Sequence, residues 1–287
     1  MDTHHQCCNQ FTTLSPKLEA FIRDRQYLYN VSARTVEWYR EALSRLPNES
    51  PSQNDLDVMV IEMRQRGLRA TSVNSWARAI NCFLKASGSS NFVKRLKEPS
   101  NVPPVFNERQ IQALIAFKGR SRTQRRLHTM ILLLFDTGAR ISSVTGLRVE
   151  SIDFDNLLVR FDGKGAKQYV VPISFELRKA LWKYISAEGL QSHQLVFGTS
   201  HGTQMTRRNV LRDVTALCRQ LGFDPPRRGV HAFRHTFAVN YIRRGGSVFH
   251  LQKALNHSTL EMSRRYASLS TDDLSAVHNK VSLLSHK

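Results

Sequence analysis

The sequence predicts a mainly α-helical protein with a helical N-terminal domain and a larger α-rich domain that contains a small β-hairpin. Three observations favour this fold class. Apolar residues recur at spacings of three and four over most of the 287-residue chain, as on amphipathic helices. Residues 157–161 and 169–173 have the composition of two strands, and the turn 162–165 lies between them. Prolines and basic residues gathered in 91–105 separate two groups of helical segments.

Four helices are predicted in the N-terminal domain, which we place at 13–90, and their bounds are 15–29, 33–46, 55–65 and 71–86. Ser15 suits the N-cap of the first helix because its hydroxyl can accept a backbone N–H, and Pro16 suits the first helical position. The apolar face of this helix is formed by Leu18, Phe21, Ile22 and Leu28. The residues 91–105 are predicted to be a basic linker that contains prolines.

The second domain, 106–287, is predicted to hold the remaining helices. Their expected bounds are 108–117, 122–137, 141–144, 175–187, 206–221, 230–244, 248–255, 260–267 and 272–284. Asn107, Ser121 and Ser174 precede three of them as N-caps. Residues 195–197 have the composition of a third short strand. The last helix carries an apolar stripe, and it is expected either to pack on its own domain or to dock into a neighbouring subunit.

Charge indicates the class of partner. The chain carries 42 Lys and Arg against 23 Asp and Glu, a net charge of +19, and such an excess is typical of proteins that bind nucleic acid. Purely binding proteins can be equally basic, so charge predicts no chemistry. The side chains expected to contact DNA are Arg34, Arg69, Arg78, Lys94, Arg95, Arg207, Arg208, Arg227 and Arg228.

Several classes of protein are excluded by composition. No run of about 18 apolar residues exists to span a membrane, and the N-terminus has neither the basic start nor the apolar segment of a secretory signal. We therefore expect a soluble, cytoplasmic protein that associates with the nucleoid when it binds DNA. Cys7 and Cys8 lie beside two histidines, but no second pair has metal-ligand spacing, so neither a metal site nor a disulfide is expected.

A set of six polar residues in the second domain suits chemistry on a phosphate group, and its members are Arg140, Lys164, His231, Arg234, His257 and Tyr266. His231 and Arg234 are three residues apart in a predicted helix and therefore share a face. Guanidinium groups match the oxygens of a phosphodiester and offset charge that develops there. A phenol can form a covalent phosphotyrosine, histidines can accept its proton or hold the same oxygens, and a lysine can protonate the leaving oxygen.

Alternatives remain open for single members of this set. Lys164 lies between two glycines at the tip of the predicted hairpin, and Lys167 is the alternative lysine, although it lacks flanking glycines. An HxxR pair alone is commonly a solvated helix face, and a tyrosine in a short helix is commonly a core residue. No HExxH pattern is present, and the six residues proposed for the chemistry require no metal, so no cofactor is expected.

The order and spacing of these residues resemble the tyrosine recombinase (phage-integrase) family, in its simple two-domain Xer-like type. Four motifs carry the resemblance: Thr137-Gly138-Ala139-Arg140, Gly163-Lys164-Gly165, His231-Ala232-Phe233-Arg234, and His257 followed nine residues later by Tyr266. The resemblance covers about residues 13–285. It implies a helical core-binding (SAM-like) domain followed by the tyrosine recombinase catalytic fold, the two forming a clamp around duplex DNA.

The resemblance also implies a role for each residue. Tyr266 would attack the scissile phosphate and form a 3′-phosphotyrosyl bond, which leaves a free 5′-hydroxyl. The transition state would be stabilised by Arg140, Arg234 and His257, while His231 assists proton transfer and Lys164 acts as the general acid. The family works as a homotetramer on paired double-stranded sites, and we expect a monomer or weak dimer in solution.

The chain departs from the family pattern at two positions. Ser143 stands where the family often has a carboxylate, so Arg140 must be oriented by something else, either Asp136 or a backbone carbonyl. Asn256 stands where a glycine usually precedes the histidine of the fourth motif, and asparagine tolerates left-handed backbone. His235 points away from the Arg234 face and is predicted to be a supporting or core residue.

Two other functions are weighed against recombination. One is a type IB topoisomerase-like enzyme that relaxes DNA with little sequence preference. The other is a catalytically silent DNA-binding architectural protein that keeps the fold. The intact set of six favours recombination over both, whether in chromosome dimer resolution, phage integration and excision, or movement of a mobile element.

Overall fold

The structure is a computed structural model that describes residues 14–98, 103–163, 168–227, 229–256, 259 and 266. The chain divides into two compact units, Met1–Asn101 and Val102–Lys287. Both are mainly helical, as the sequence predicts, and one small sheet lies in the second unit. None of the helices in the described ranges is both long and apolar enough to cross a membrane.

The first unit contains four helices, which are α1 (Pro16–Tyr27), α2 (Ala33–Leu43), α3 (Gln53–Gln65) and α4 (Ala70–Ala86). Side-chain caps begin two of them: the Ser32 hydroxyl accepts the N–H of Thr35, and Ser52 forms a reciprocal capping box with Asp55. The four helices share one apolar core, in which Ile22, Leu43, Leu56, Ile80 and Phe83 are almost completely buried.

The segment after α4 packs along this unit. The side-chain amide of Asn81 accepts from the N–H of Val93 at 2.7 Å and donates to its carbonyl at 2.9 Å. Asn74 pairs with both backbone groups of Leu96 in the same way, at 2.8 and 2.9 Å. Val93 is buried in the core, so the first part of the segment predicted to be a linker packs on the helices of this unit.

The second unit contains seven helices within the described ranges: α5 (Glu108–Ala116), α6 (Arg122–Thr137), α7 (Ile141–Thr145), α8 (Phe175–Ala187), α9 (Arg207–Gln220), α10 (His231–Arg243) and α11 (Val248–Ala254). Strands β1 (Ile152–Asp153), β2 (Leu158–Asp162) and β3 (Gln168–Pro172) form one antiparallel sheet in that order. Val159 and Phe161 of β2 face the core while their neighbours face out, which follows the two-residue period of a strand.

Helix α10 lies against α6, and this packing positions the site. Phe233 of α10 is fully buried and contacts the rings of Phe106 and Phe135, with centroid distances of 4.7 and 4.8 Å. Burying such a side chain stabilises the fold by roughly 2 kcal/mol. The hydroxyl of Thr236, one turn later, accepts the N–H of Phe106 at 2.9 Å, so the start of the second unit is tied to α10.

Two details differ from the sequence prediction. Leu28 is the C-cap of α1 and is exposed, so it does not belong to the buried face to which the sequence assigned it. Residues 195–197 form only an isolated bridge between Leu195 and Arg148, and the third strand of the sheet is β1 instead. The predicted helices 260–267 and 272–284 lie outside the described residues, apart from Tyr266, which is helical.

Candidate active site

Arg234 is held by the carboxyl-terminal ends of two helices. Its Nη1 donates to the carbonyl of Gly138 at 3.0 Å, and its Nη2 donates to the carbonyl of Leu255 at 2.6 Å. These residues are the C-caps of α6 and α11, where the backbone carbonyls are unpaired and the helix dipoles are negative. A cation that is only 6% exposed therefore has hydrogen-bond partners without a carboxylate.

Burial, and after it the charge of Arg140, lower the pKa of Arg234 to about 10. The guanidinium still carries its charge at neutral pH. Arg140 and Arg234 donate to the carbonyls of consecutive residues, Asn256 and Leu255, so the two guanidiniums lie close enough to act on one ligand.

Arg140 is oriented by a backbone carbonyl, which decides between the two alternatives left by the sequence. Its Nη2 donates to the carbonyl of Asn256 at 3.1 Å. Asp136 is engaged elsewhere, since its Oδ2 accepts the N–H of Ser174 at the start of α8 at 2.8 Å. Within the described ranges, no carboxylate lies within 4.0 Å of Arg140 or Arg234, so their positive charge is available to an anion.

Two residues with left-handed backbone shape this arrangement. Gly138 has φ +60° and ends α6, and a Cβ there would stand 2.4 Å from the ring of Phe237 and 2.8 Å from Leu255. Asn256 has φ +46° and follows α11, which agrees with the prediction that asparagine replaces glycine at this point. The two turns direct the carbonyls of 138, 255 and 256 toward the arginines.

Tyr266 packs against α10 and α11 in the second unit, although it lies outside both helices in the sequence. It is 5% exposed and packs in a small apolar cluster with Ala238, Val239, Leu251 and Leu255. Its phenol interacts electrostatically with Arg234, raising the pKa of that guanidinium against the effects of burial and Arg140. The hydroxyl lies 2.8 Å from Nδ1 of His235.

His235 contacts Tyr266 directly, although the sequence predicts a supporting or core role for it. Neighbouring residues of a helix point about 100° apart, which favours separate surroundings for His235 and Arg234. His235 belongs to the site because it contacts Tyr266, which lies 31 positions after it in the chain. No local pattern signals such a pairing, because it depends on the fold.

His231 is the first residue of α10, one turn before Arg234, and is partly buried. This placement agrees with the shared face expected from the HxxR spacing. Lys164, the alternative Lys167 and His257 lie outside the described residues.

Ser143 fixes the end of β2 from which the turn with Lys164 begins. The Ser143 hydroxyl donates to the carbonyl of Asp162 at 2.9 Å, and the Tyr169 hydroxyl lies 3.4 Å from the same Oγ. Asp162 is two residues before Lys164 in the chain. The residue that stands in place of the family's carboxylate thus links α7, which begins directly after Arg140, to the hairpin.

The side chains predicted to contact DNA are exposed wherever they are described, and they are Arg34, Arg69, Arg78, Lys94, Arg95, Arg207, Arg208 and Arg227. Of these eight, only Arg95 has a carboxylate partner within 4.0 Å, the side chain of Glu98 at 3.7 Å. Arg228 lies outside the described residues. By contrast, Arg122 and Arg125 both pair with the buried carboxylate of Glu188, which makes their role structural.

A family model and similar curated proteins indicate the same family. A sequence model of the phage integrase family matches residues 104–272, more than half of the chain. The tyrosine recombinase XerA of Pyrococcus furiosus is 26% identical over 282 residues, covering 95% of this chain and 96% of XerA. The tyrosine recombinase XerD of Vibrio cholerae is 27% identical and covers 92% and 95% of the two chains.

Solved structures share the fold. The integrase of the Tn1549 transposon, in complex with transposon right-end DNA, superposes with a TM-score of 0.73 at 18% identity, covering 92% of this chain and 99% of the integrase. The XerH site-specific recombinase, bound to palindromic difH substrate after cleavage, gives a TM-score of 0.66 at 17% identity, with 94% and 84% covered.

Proposed function

This chain belongs to the phage integrase family, and we propose that it is a tyrosine site-specific recombinase whose nucleophile is Tyr266. It breaks and rejoins double-stranded DNA at specific sites. The relatives that match nearly the whole chain bear the name tyrosine recombinase, and the similar folds include recombinases in complex with DNA.

The single observation that carries the assignment of the nucleophile is the position of the Tyr266 phenol. It packs against α10, where its hydroxyl lies within hydrogen-bond distance of His235, the residue after Arg234. The Arg234 guanidinium has no carboxylate partner within the described residues. A phosphodiester held by Arg140 and Arg234 would therefore be presented to the phenolic oxygen. Two fixed cations also offset the charge that develops on the phosphate during attack.

The reaction conserves the energy of the broken bond. The Tyr266 oxygen bonds to the scissile phosphorus while the bond from phosphorus to the 5′ oxygen breaks. Lys164 supplies the proton to that leaving oxygen, and His231 and His257 act with the arginines on the phosphate. The 5′-hydroxyl of a second strand then attacks the phosphotyrosine and restores a phosphodiester, so neither metal nor ATP is required.

The exposed basic side chains described above would hold the phosphate backbone on either side of this point. Their guanidinium groups are the type of donor that positions a protein on duplex DNA without reading its sequence. We propose that two sites are recombined by four protomers, linked by the apolar stripe of 272–284, and that the enzyme acts in the cytoplasm on nucleoid DNA.

A nicked DNA site tests this assignment. When the short strand downstream of the scissile phosphate diffuses away, the phosphotyrosine cannot be resealed, and the protein remains covalently bound to DNA. We expect the unsubstituted protein to form this adduct and Tyr266→Phe to form none while it still binds DNA. Adduct formation by Tyr266→Phe would refute the nucleophile, and supercoil relaxation without recombinant product would favour a topoisomerase.

A further inference from the structure

The contact between His235 and Tyr266 joins an imidazole directly to the atom that the proposed function makes the nucleophile. His235 Nδ1 and the Tyr266 oxygen are 2.8 Å apart, which is an ordinary hydrogen-bond distance. The two rings lie 5.8 Å apart between centroids. Both residues are anchored, since His235 is a partly buried residue of α10 and Tyr266 is almost completely buried.

We propose that His235 is the proton acceptor for Tyr266 and therefore a catalytic residue. The inference rests on the proposed function, because it assigns a role only if Tyr266 is the nucleophile. A phenol is weakly nucleophilic until its proton leaves, and a neutral imidazole within hydrogen-bond distance is suited to take that proton.

The proton moves in balance with the bonds to phosphorus. The neutral ring of His235 carries its own proton on Nε2 and accepts the phenolic hydrogen bond at Nδ1. As the Tyr266 oxygen bonds to phosphorus, its proton passes to Nδ1, and the 5′ oxygen leaves with a proton from Lys164. Religation reverses each transfer, and the imidazolium returns its proton to the departing phenolate.

The position of Arg234 supports this division of work. Arg234 and His235 are consecutive in α10, and both interact with the Tyr266 phenol. The guanidinium is fixed by two carbonyls and stays charged, so it cannot accept a proton at neutral pH. The imidazole is therefore the member of this adjacent pair that can take the proton from the phenol.

A purely structural role for His235 makes a different prediction, and two substitutions separate the roles. In His235→Asn the amide oxygen takes the place of Nδ1 and can still hold the phenol, but it cannot be protonated. In His235→Ala a cavity remains that a free imidazole molecule can enter. We expect both variants to form the covalent adduct about 10²- to 10⁴-fold more slowly than the unsubstituted protein.

Added imidazole is expected to raise the rate of adduct formation by His235→Ala at least about tenfold, which recovers part of the 10²- to 10⁴-fold loss. It should leave the rate of His235→Asn unchanged. His193→Asn is the matched control, because His193 is an exposed residue of the loop after α8. Binding of uncleaved DNA, measured for each variant, shows that the fold is kept. A rate for His235→Asn within about threefold of the unsubstituted protein would overturn the proton acceptor.

A second substrate shows at which end of the reaction His235 acts. Sulfur in place of the 5′ bridging oxygen leaves without needing a proton, because thiols are more acidic than alcohols. This substrate should restore cleavage by Lys164→Ala and leave His235→Asn slow, and restoration of His235→Asn would overturn the inference. Adduct formation by Tyr266→Phe would instead refute the nucleophile itself, so the two failures are distinguishable.

Discussion

Replacement of Arg234 by lysine tests how the site holds its central cation. The substitution keeps a positive charge on α10 but removes the planar, two-armed shape of the guanidinium. In the structure, one arm binds the carbonyl of Gly138 and the other binds the carbonyl of Leu255. A single ammonium group at the end of a flexible chain can retain one of these bonds but not the geometry of both.

The cost follows from the bond that is lost. A hydrogen bond to a charged group contributes about 1.5–3 kcal/mol, and a buried carbonyl without a partner adds to the loss. We therefore expect Arg234→Lys to lower the free energy of unfolding of the second unit by about 2 kcal/mol. For a unit of this size, that corresponds to a drop in Tm of roughly 4–8 °C.

We expect Arg234→Lys to affect the rate of DNA cleavage more than the stability of the fold. Removing one donor from a site that stabilises developing charge typically costs about 10²–10³ in rate. We expect Arg234→Lys to slow formation of the covalent adduct on a nicked site by this factor, while binding of uncleaved DNA changes little. Arg243→Lys is the matched control, because Arg243 is exposed in the last turn of the same helix.

Differential scanning calorimetry of the full chain and the rate of adduct formation measure the two effects. If Arg234→Lys unfolds within about 1 °C of the unsubstituted protein, as we expect for Arg243→Lys, the guanidinium does not hold the two helix ends. If it also cleaves at the unsubstituted rate, the account of charge stabilisation is wrong.

Three further substitutions test separate parts of the structure. Gly138→Ala places a side chain at φ +60° and against an aromatic ring, so we expect the free energy of unfolding to fall by at least about 2 kcal/mol. Denaturant titration measures this loss, and an unchanged midpoint would contradict the left-handed turn. Ser143→Ala removes the hydroxyl that holds the end of β2 next to the turn with Lys164, which should lower the free energy of unfolding by about 1 kcal/mol. It should slow cleavage of an oxygen-linked substrate more than cleavage of the sulfur-linked one, and equal slowing would show that Ser143 does not act through the leaving-group lysine. The double substitution of Arg207 and Arg208 by alanine should reduce the slope of log DNA affinity against log salt concentration by about 1.8, the value for two lost phosphate contacts. Arg122→Ala is the control, because Arg122 pairs with a buried carboxylate, and it should leave the slope unchanged.

Local patterns in the sequence predicted most of the secondary structure. The helix Phe175–Ala187 has the predicted bounds because Ser174 supplies its cap and the apolar spacing is regular. The helix start after Ser121 follows from the capping box with Gln124. Short elements were less predictable: β1 has two residues, and it is defined by its pairing with β2 and not by its own composition.

The sequence predicts which residues form the site more readily than it predicts how their side chains are held. Spacing alone placed His231 and Arg234 on one helix face, and left-handed backbone at Asn256 followed from its side chain. The carbonyls that orient Arg140 and Arg234 carry no sequence signal, because every residue has one. The contact between His235 and Tyr266 was missed for a related reason, since it joins residues that only the tertiary fold brings together.

The most direct test of the account is to locate the covalent bond. Adduct trapped on a nicked site would be digested with nuclease and trypsin, and the peptides would be sequenced by mass spectrometry. The chain has seven tyrosines, and we predict that the nucleotide remnant is attached through its 3′-phosphate to the peptide 266–280, at Tyr266. Attachment to any other residue, or a remnant linked through a 5′-phosphate, would contradict the central claim.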